Sequence, residues 1–115
     1  MVRNEATRFC AWMKHRMSSA AREDAQFTLL LTDRADRGYE ATLIWLSGAK
    51  KTRHESYLFE DTTMSYEGVN ELIFSGRWFT MTPAATFIVK SKKKPEIRLF
   101  VTIAGTGYME IKERL

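Results

Sequence analysis

Two histidines, one cysteine and a few spaced carboxylates are what this chain offers to catalysis, and their spacing argues against most of it. Cys10 and His15 stand five residues apart, and on a helix five steps turn about 500°, which separates thiol from imidazole. A Cys–His nucleophile is not expected there; Cys10 reads instead as a small core residue. His54-Glu55 begins like a zinc-protease motif, but Leu58 stands where the second histidine is required. Asp33 and Asp36 could serve as carboxylate ligands or as an acid and a base. Arg34 and Arg37 interleave with them, however, and a solvated turn accounts for the pattern. Gly105-Thr106-Gly107 lacks the third glycine and the following helix of a dinucleotide loop. Walker-type loops, Gly-x-Ser-x-Gly elbows and zinc-spaced cysteines are absent. No catalytic residue, cofactor or metal ligand is therefore expected. A small enzyme or ligand-binding barrel using carboxylates and lysines stands as the third alternative.

Binding chemistry has more to work with. Lys90, Lys92, Lys93 and Lys94 concentrate four cations in five residues, and Lys50, Lys51 and Arg53 add three in another expected loop. Solvated hairpin tips that resist aggregation carry such residues. The same residues could contact phosphates, which anchors a nucleic acid without selecting its sequence. Arg98 would join them, and Phe100, on the face opposite Ile97, Leu99, Val101 and Ile103, could stack a base. If every connection simply reverses the chain, the 49–54 and 92–94 loops lie at opposite ends of the sheet and form no single patch. For protein contacts, Trp12 and Arg16 at the margin of the N-terminal helix and Trp78 on a later strand are the interface candidates, being types enriched at such surfaces. Exposed edges at 77–82 or 108–113 could also pair with a partner strand.

These residues must be held by regular elements, and the repeat of apolar positions supplies them. Asn4 is a plausible N-cap for a helix over about 5–18, whose stripe of Ala6, Phe9, Cys10, Met13 and Met17 continues into Ala20 and Ala21. From Phe27 the period becomes two. Strands are expected over 27–32, 39–46, 56–60, 77–82, 86–91, 96–104 and 108–113, joined by turn residues. Tyr39–Leu46 is apolar on both faces at its far end, which suggests a central strand. Between 61 and 76 the signals conflict: Ser65 could cap a short helix carrying Tyr66, Val69 and Ile73, whereas Leu72–Phe74 fits a strand. The helix is preferred. Gly105-Thr106-Gly107 supplies the positive φ of a three-residue hairpin loop.

The expectation is a single α+β domain over 1–115. An N-terminal amphipathic helix packs on a bent antiparallel sheet spanning about 27–114, with about six or seven strands forming a partly closed barrel or a sandwich. The 115 residues can bury a core without disulfides. The lone cysteine and the lack of a signal-like apolar run point to an intracellular protein, in cytoplasm or nucleus. No stretch is long and apolar enough for a membrane span. Net charge is +4, but it is uneven: residues 77–115 hold eight basic and three acidic side chains, residues 27–76 five and eight. That end could meet nucleic acid, an anionic membrane surface or an acidic protein. The reading that unites these features is a non-catalytic protein-interaction or assembly module, homodimeric or a subunit of a larger complex. A nucleic-acid-binding module is the alternative.

Overall fold

The computed structural model describes residues 2–34, 38–47, 50–59, 62–66, 71–94 and 96–114; the side chains of 33, 34, 38, 39, 47, 50–53 and 63–66 are not part of that description. Helix α1, Val2–Glu23, is longer than its sequence signals indicate. Asn4 lies inside it rather than capping it. Val2, Glu5, Ala6, Phe9, Cys10, Met13, Met17 and Ala20 form the buried stripe at three- and four-residue steps, while Ala21 faces solvent. No Gly or Pro interrupts the run through Ser18 and Ser19, so the helix continues until Asp24 turns left-handed at φ 52°. There the amide of Ala25 donates to the Ala20 carbonyl at 2.9 Å and that of Asp24 to Ala21 at 3.4 Å. This is the Schellman pattern of a helix end, with Asp in the place glycine usually takes.

Nine strands follow among the described residues: β1 Gln26–Arg34, β2 Gly38–Ser47, β3 Lys50–Phe59, β4 Thr62–Tyr66, β5 Glu71–Ser75, β6 Thr80–Thr82, β7 Ala85–Ser91, β8 Arg98–Ile103 and β9 Met109–Lys112. They form two antiparallel sheets, ordered β3-β2-β1-β5-β6 and β4-β7-β8-β9. The chain runs three strands in the first sheet, crosses for β4, returns to set β5 beside β1, and crosses again at β7. The α+β architecture of a helix on antiparallel sheet is as expected from the change of period, with more strands than the estimate.

Further expectations fail locally. The preferred helix in 61–76 is replaced by β4, paired with β7 from Thr62↔Ser91 to Tyr66↔Phe87, and β5, paired with β1 from Gln26↔Ser75 to Leu30↔Glu71. Residues 67–70, Val69 among them, lie outside the described residues. In β5 Leu72 and Phe74 are buried and Glu71 and Ile73 exposed, a two-residue repeat that a helix would scramble. Likewise the expected basic loop over 49–54 is largely strand: β3 starts at Lys50 and its register shifts between Trp45 and Leu46 of β2.

Aromatic rings join helix and sheets. Phe9 lies 5.0 Å from Phe59, 5.6 Å from Tyr57 and 5.7 Å from Phe87, between ring centroids, so one side chain touches both sheets. Across β2, β1 and β5 the register places Trp45, Phe27 and Phe74 side by side, with centroids 5.1 and 5.3 Å apart. Such direct cross-strand aromatic pairs add about 0.2–1 kcal/mol each to what burial contributes.

Candidate protein interface

Two carboxylates that could do chemistry, Glu5 and Glu55, are spent on holding the fold, and the Asp33 and Asp36 side chains lie outside the described residues. Glu5 is a carboxylate on the buried stripe of α1. Left without donors it would cost several kcal/mol, of order those for other buried charges. The Tyr57 hydroxyl donates to it at 2.7 Å, Arg8 at 3.0 Å and the Thr62 hydroxyl at 3.4 Å, which ties α1 to β3 and β4. Glu55 acts alike on the next helical turns, accepting from the Trp45 indole at 2.7 Å and from Arg16 at 3.3 Å. The Arg16 guanidinium lies 4.7 Å from the centre of the Trp12 ring, and Trp12 packs against Phe9 and Tyr57. Trp12 and Arg16 are thus brought together, half-buried, as part of the helix–sheet contact.

Cys10 is buried, and desolvation pushes its thiol above the ordinary cysteine range although Lys14 pulls the other way. His15 and His54 are exposed on α1 and β3, so thiol and imidazoles form no common site. Among the described residues no group of three or more His, Cys, Asp or Glu side chains is placed to hold a metal ion.

The basic residues do not converge. Lys50, Lys51 and Arg53 belong to β3, at the edge of the first sheet, with side chains outside the description. Lys92, Lys93 and Lys94 are exposed in the β7–β8 connection of the second sheet. Arg98 opens β8 and covers Phe100, its guanidinium carbon 5.6 Å from the ring centre. Phe100 is half-buried, and one of its faces is already occupied.

Trp78 is different. It is 73% exposed and sits in the turn between β5 and β6, rather than in the expected strand. That turn is fixed from several sides. The Gly76 amide donates to Ala25 at 2.8 Å, just beyond the helix end, and a side chain at Gly76 would run into the backbone of Ala20 and Ala25. Arg77 grips Asp24 with two hydrogen bonds, of 3.0 and 3.3 Å. That bond and the adjacent positive charge hold the Asp24 carboxyl below its usual range. The Trp78 amide reaches the Ser75 hydroxyl at 3.4 Å. Phe79 takes φ 52°, rare for an aromatic, and packs edge-on against Phe74 at 5.0 Å. Its ring also lies over Gly107, where an added β-carbon would come within 2.7 Å.

Beside Gly107, Tyr108 is 65% exposed, and Met81 of β6 donates to the Gly105 carbonyl at 3.0 Å. The two turns are thereby locked together, and a shallow apolar groove of about 370 Å³ runs from Phe79 and Tyr108 to Met17 on α1. On the other side of the turn Trp78 walls an open cleft of about 530 Å³ with Asp24, Gln26 and Leu46. The sequence offers Trp78 and Phe79 as aromatics on opposite faces of a strand but does not single out Tyr108, since the pairing of one turn with the other is a tertiary fact.

No protein-family model matches the chain, and no curated protein matches it in sequence. Among solved structures the chain is similar to the type IV minor pilin FimU of Pseudomonas aeruginosa strain PAO1, in two crystal forms. In space group P21 the TM-score is 0.72 at 15% identity, covering 96% of this chain and 87% of that one. In P65 the values are 0.71, 16%, 96% and 91%. At such identity the likeness is one of fold.

The likeness to a pilin overturns the expectation of a cytoplasmic or nuclear protein. That expectation leaned on Cys10, and a single buried thiol shows only that no internal disulfide forms. The nucleic-acid alternative and the homodimer likewise lose their footing. The two basic groups lie on different sheets, Arg98 occupies one face of the half-buried Phe100, and the fold shared with a minor pilin favours neither.

Proposed function

We propose that the chain is a non-catalytic structural subunit of a pilus-like protein assembly, outside the cytoplasm, and that it meets a neighbouring subunit through the corner carrying Trp78, Phe79 and Tyr108. The observation that carries this reading is a tryptophan 73% exposed on a turn that is otherwise rigidly held. Exposing an indole forgoes burial worth about 1.5–3 kcal/mol for a large apolar side chain, and the left-handed Phe79 adds about 1–3 kcal/mol of strain. A neighbour that covers the ring recovers the first and exploits the second, since a preset turn loses little entropy on docking. Tryptophan and tyrosine in such settings dominate interface energetics. The fold shared with a type IV minor pilin supports the same reading.

Trp78→Ala combined with Tyr108→Ala, introduced at the native locus, is the test. The variant should accumulate as a folded protein yet reduce sheared surface filaments, viewed by electron microscopy, to the level of a deletion strain. Filaments at the normal level and length would refute the assignment of this corner.

A further inference from the structure

The opposite chemistry gathers at the β7–β8 connection. Lys92, Lys93 and Lys94 are all exposed, and Ile97, 49% exposed, stands among them. The loop is ordered by its own bonds: Ser91 donates to the Ile97 carbonyl at 3.0 Å, Ile97 to Lys94 at 2.8 Å, and the Lys94 amide to the Ser91 hydroxyl at 3.2 Å. Below it Lys90 and Arg98 are direct cross-strand partners. Like charges in that register repel and destabilise the sheet. Arg3, on the first turn of α1, shares a shallow cleft with Ile97 and Arg98. Among the described residues Glu96 in the loop and Glu113, which pairs with Arg3 at 3.1 Å, temper the charge, and Lys92 has an interaction of its own.

We propose that this tip is a docking surface for an anionic phospholipid bilayer. Five clustered cations attract a surface bearing many negative headgroups, each worth about a factor of five when it comes within a Debye length. Ile97 supplies an exposed apolar side chain in the same loop, able to enter the headgroup boundary. The repulsion between Lys90 and Arg98 is relieved when phosphates approach, which gives the costly pairing a use. A bilayer is favoured over a single-stranded nucleic acid because Phe100, the aromatic ring beside this tip on β8, is half-buried with Arg98 on one of its faces. The inference rests on this charge distribution and not on the assembly reading, which concerns other residues.

Co-flotation of the full chain with vesicles of phosphatidylcholine plus phosphatidylglycerol, against phosphatidylcholine alone, tests it. Binding should require the anionic lipid and fall with added salt. Changing Lys92, Lys93 and Lys94 together to Ser should weaken it about a hundredfold. Lys90→Gln, which relieves the like-charge pair and leaves Arg98 on the Phe100 ring, should weaken it too while raising the melting temperature, a combination that mere misfolding cannot produce. Equal flotation with neutral vesicles, no flotation with anionic ones, indifference to the triple change, or a preference for a single-stranded oligonucleotide over vesicles would each overturn the proposal.

Discussion

The hydroxyl of Tyr57 on β3 donates to the buried carboxylate of Glu5 on α1 across 2.7 Å, joining two residues 52 positions apart. A carboxylate in that position is a liability that only its donors neutralise. Tyr57→Phe removes one of them while keeping the ring against Phe9, so the loss reports the hydrogen bond rather than packing. We expect destabilisation of about 1.5–3 kcal/mol, the range for bonds to charged groups. Urea titration with an unchanged slope would measure it, and a loss below a few tenths would show that Glu5 needs no help from β3.

Phe9 touches Phe59 and Tyr57 of the first sheet and Phe87 of the second. Phe9→Ala should cost about 3–5 kcal/mol, the usual scale for emptying an aromatic site. The chain should remain folded at low temperature with a lowered denaturant midpoint. An effect near that of a surface substitution would mean that the helix does not bridge the sheets.

At Gly76 the backbone of the β5–β6 turn meets the end of α1 too closely for a β-carbon. Because the obstructing atoms are backbone, Gly76→Ala should lose at least the upper end of the about 1–3 kcal/mol typical of overpacking. It should also broaden the amide resonances of Arg77 and Trp78, since the same contact sets the turn. Thermal melts together with amide spectra would decide it.

Trp78→Ala should leave folding stability within about 0.5 kcal/mol of the parent, as substitutions at exposed positions do. This separates the two roles of the turn: loss of assembly without loss of stability assigns Trp78 to a partner. A marked fall in the melting temperature would instead make it part of the core.

Asp24 and Arg77 are both exposed, and their pairing lowers the aspartate's pKa and raises the arginine's. A carboxyl whose folded pKa is depressed contributes stability above its unfolded pKa of about 3.9, and loses it as pH falls through the folded value. The difference in melting temperature between the parent and Asp24→Asn should therefore be present near neutrality and shrink in acid. High salt should shrink it as well, since exposed pairs are screened. A gap that persists unchanged in acid would assign the effect to the left-handed backbone at Asp24 instead.

Residue order alone determined the class of this molecule. The three- and four-residue steps from Ala6 to Met17 make a helix with one apolar face, and the alternation of Leu99, Val101 and Ile103 makes a strand with one buried side, whatever surrounds them. It offered Trp12, Arg16 and Trp78 as interface candidates and two basic groups, around 50–53 and 92–98, without distinguishing among them. The two sheets, the crossings at β4 and β7, and the strands that displaced an expected helix were decided by tertiary pairing. Ser65 and Gly76 resemble helix boundaries locally, yet the ladders to β7 and β1 satisfy more backbone groups and bury Leu72 and Phe74. The same physics chose between Trp12 and Trp78, two indoles of equal hydrophobicity. One packs on Tyr57 across the helix–sheet seam with Arg16 of its own helix over it, while the other stands 73% exposed on a turn where Gly76, Asp24 and Gly107 fix the chain. Periodicity is a property of neighbouring residues and can be read along the chain; exposure depends on contacts between segments far apart in it, and exists only once the chain has folded.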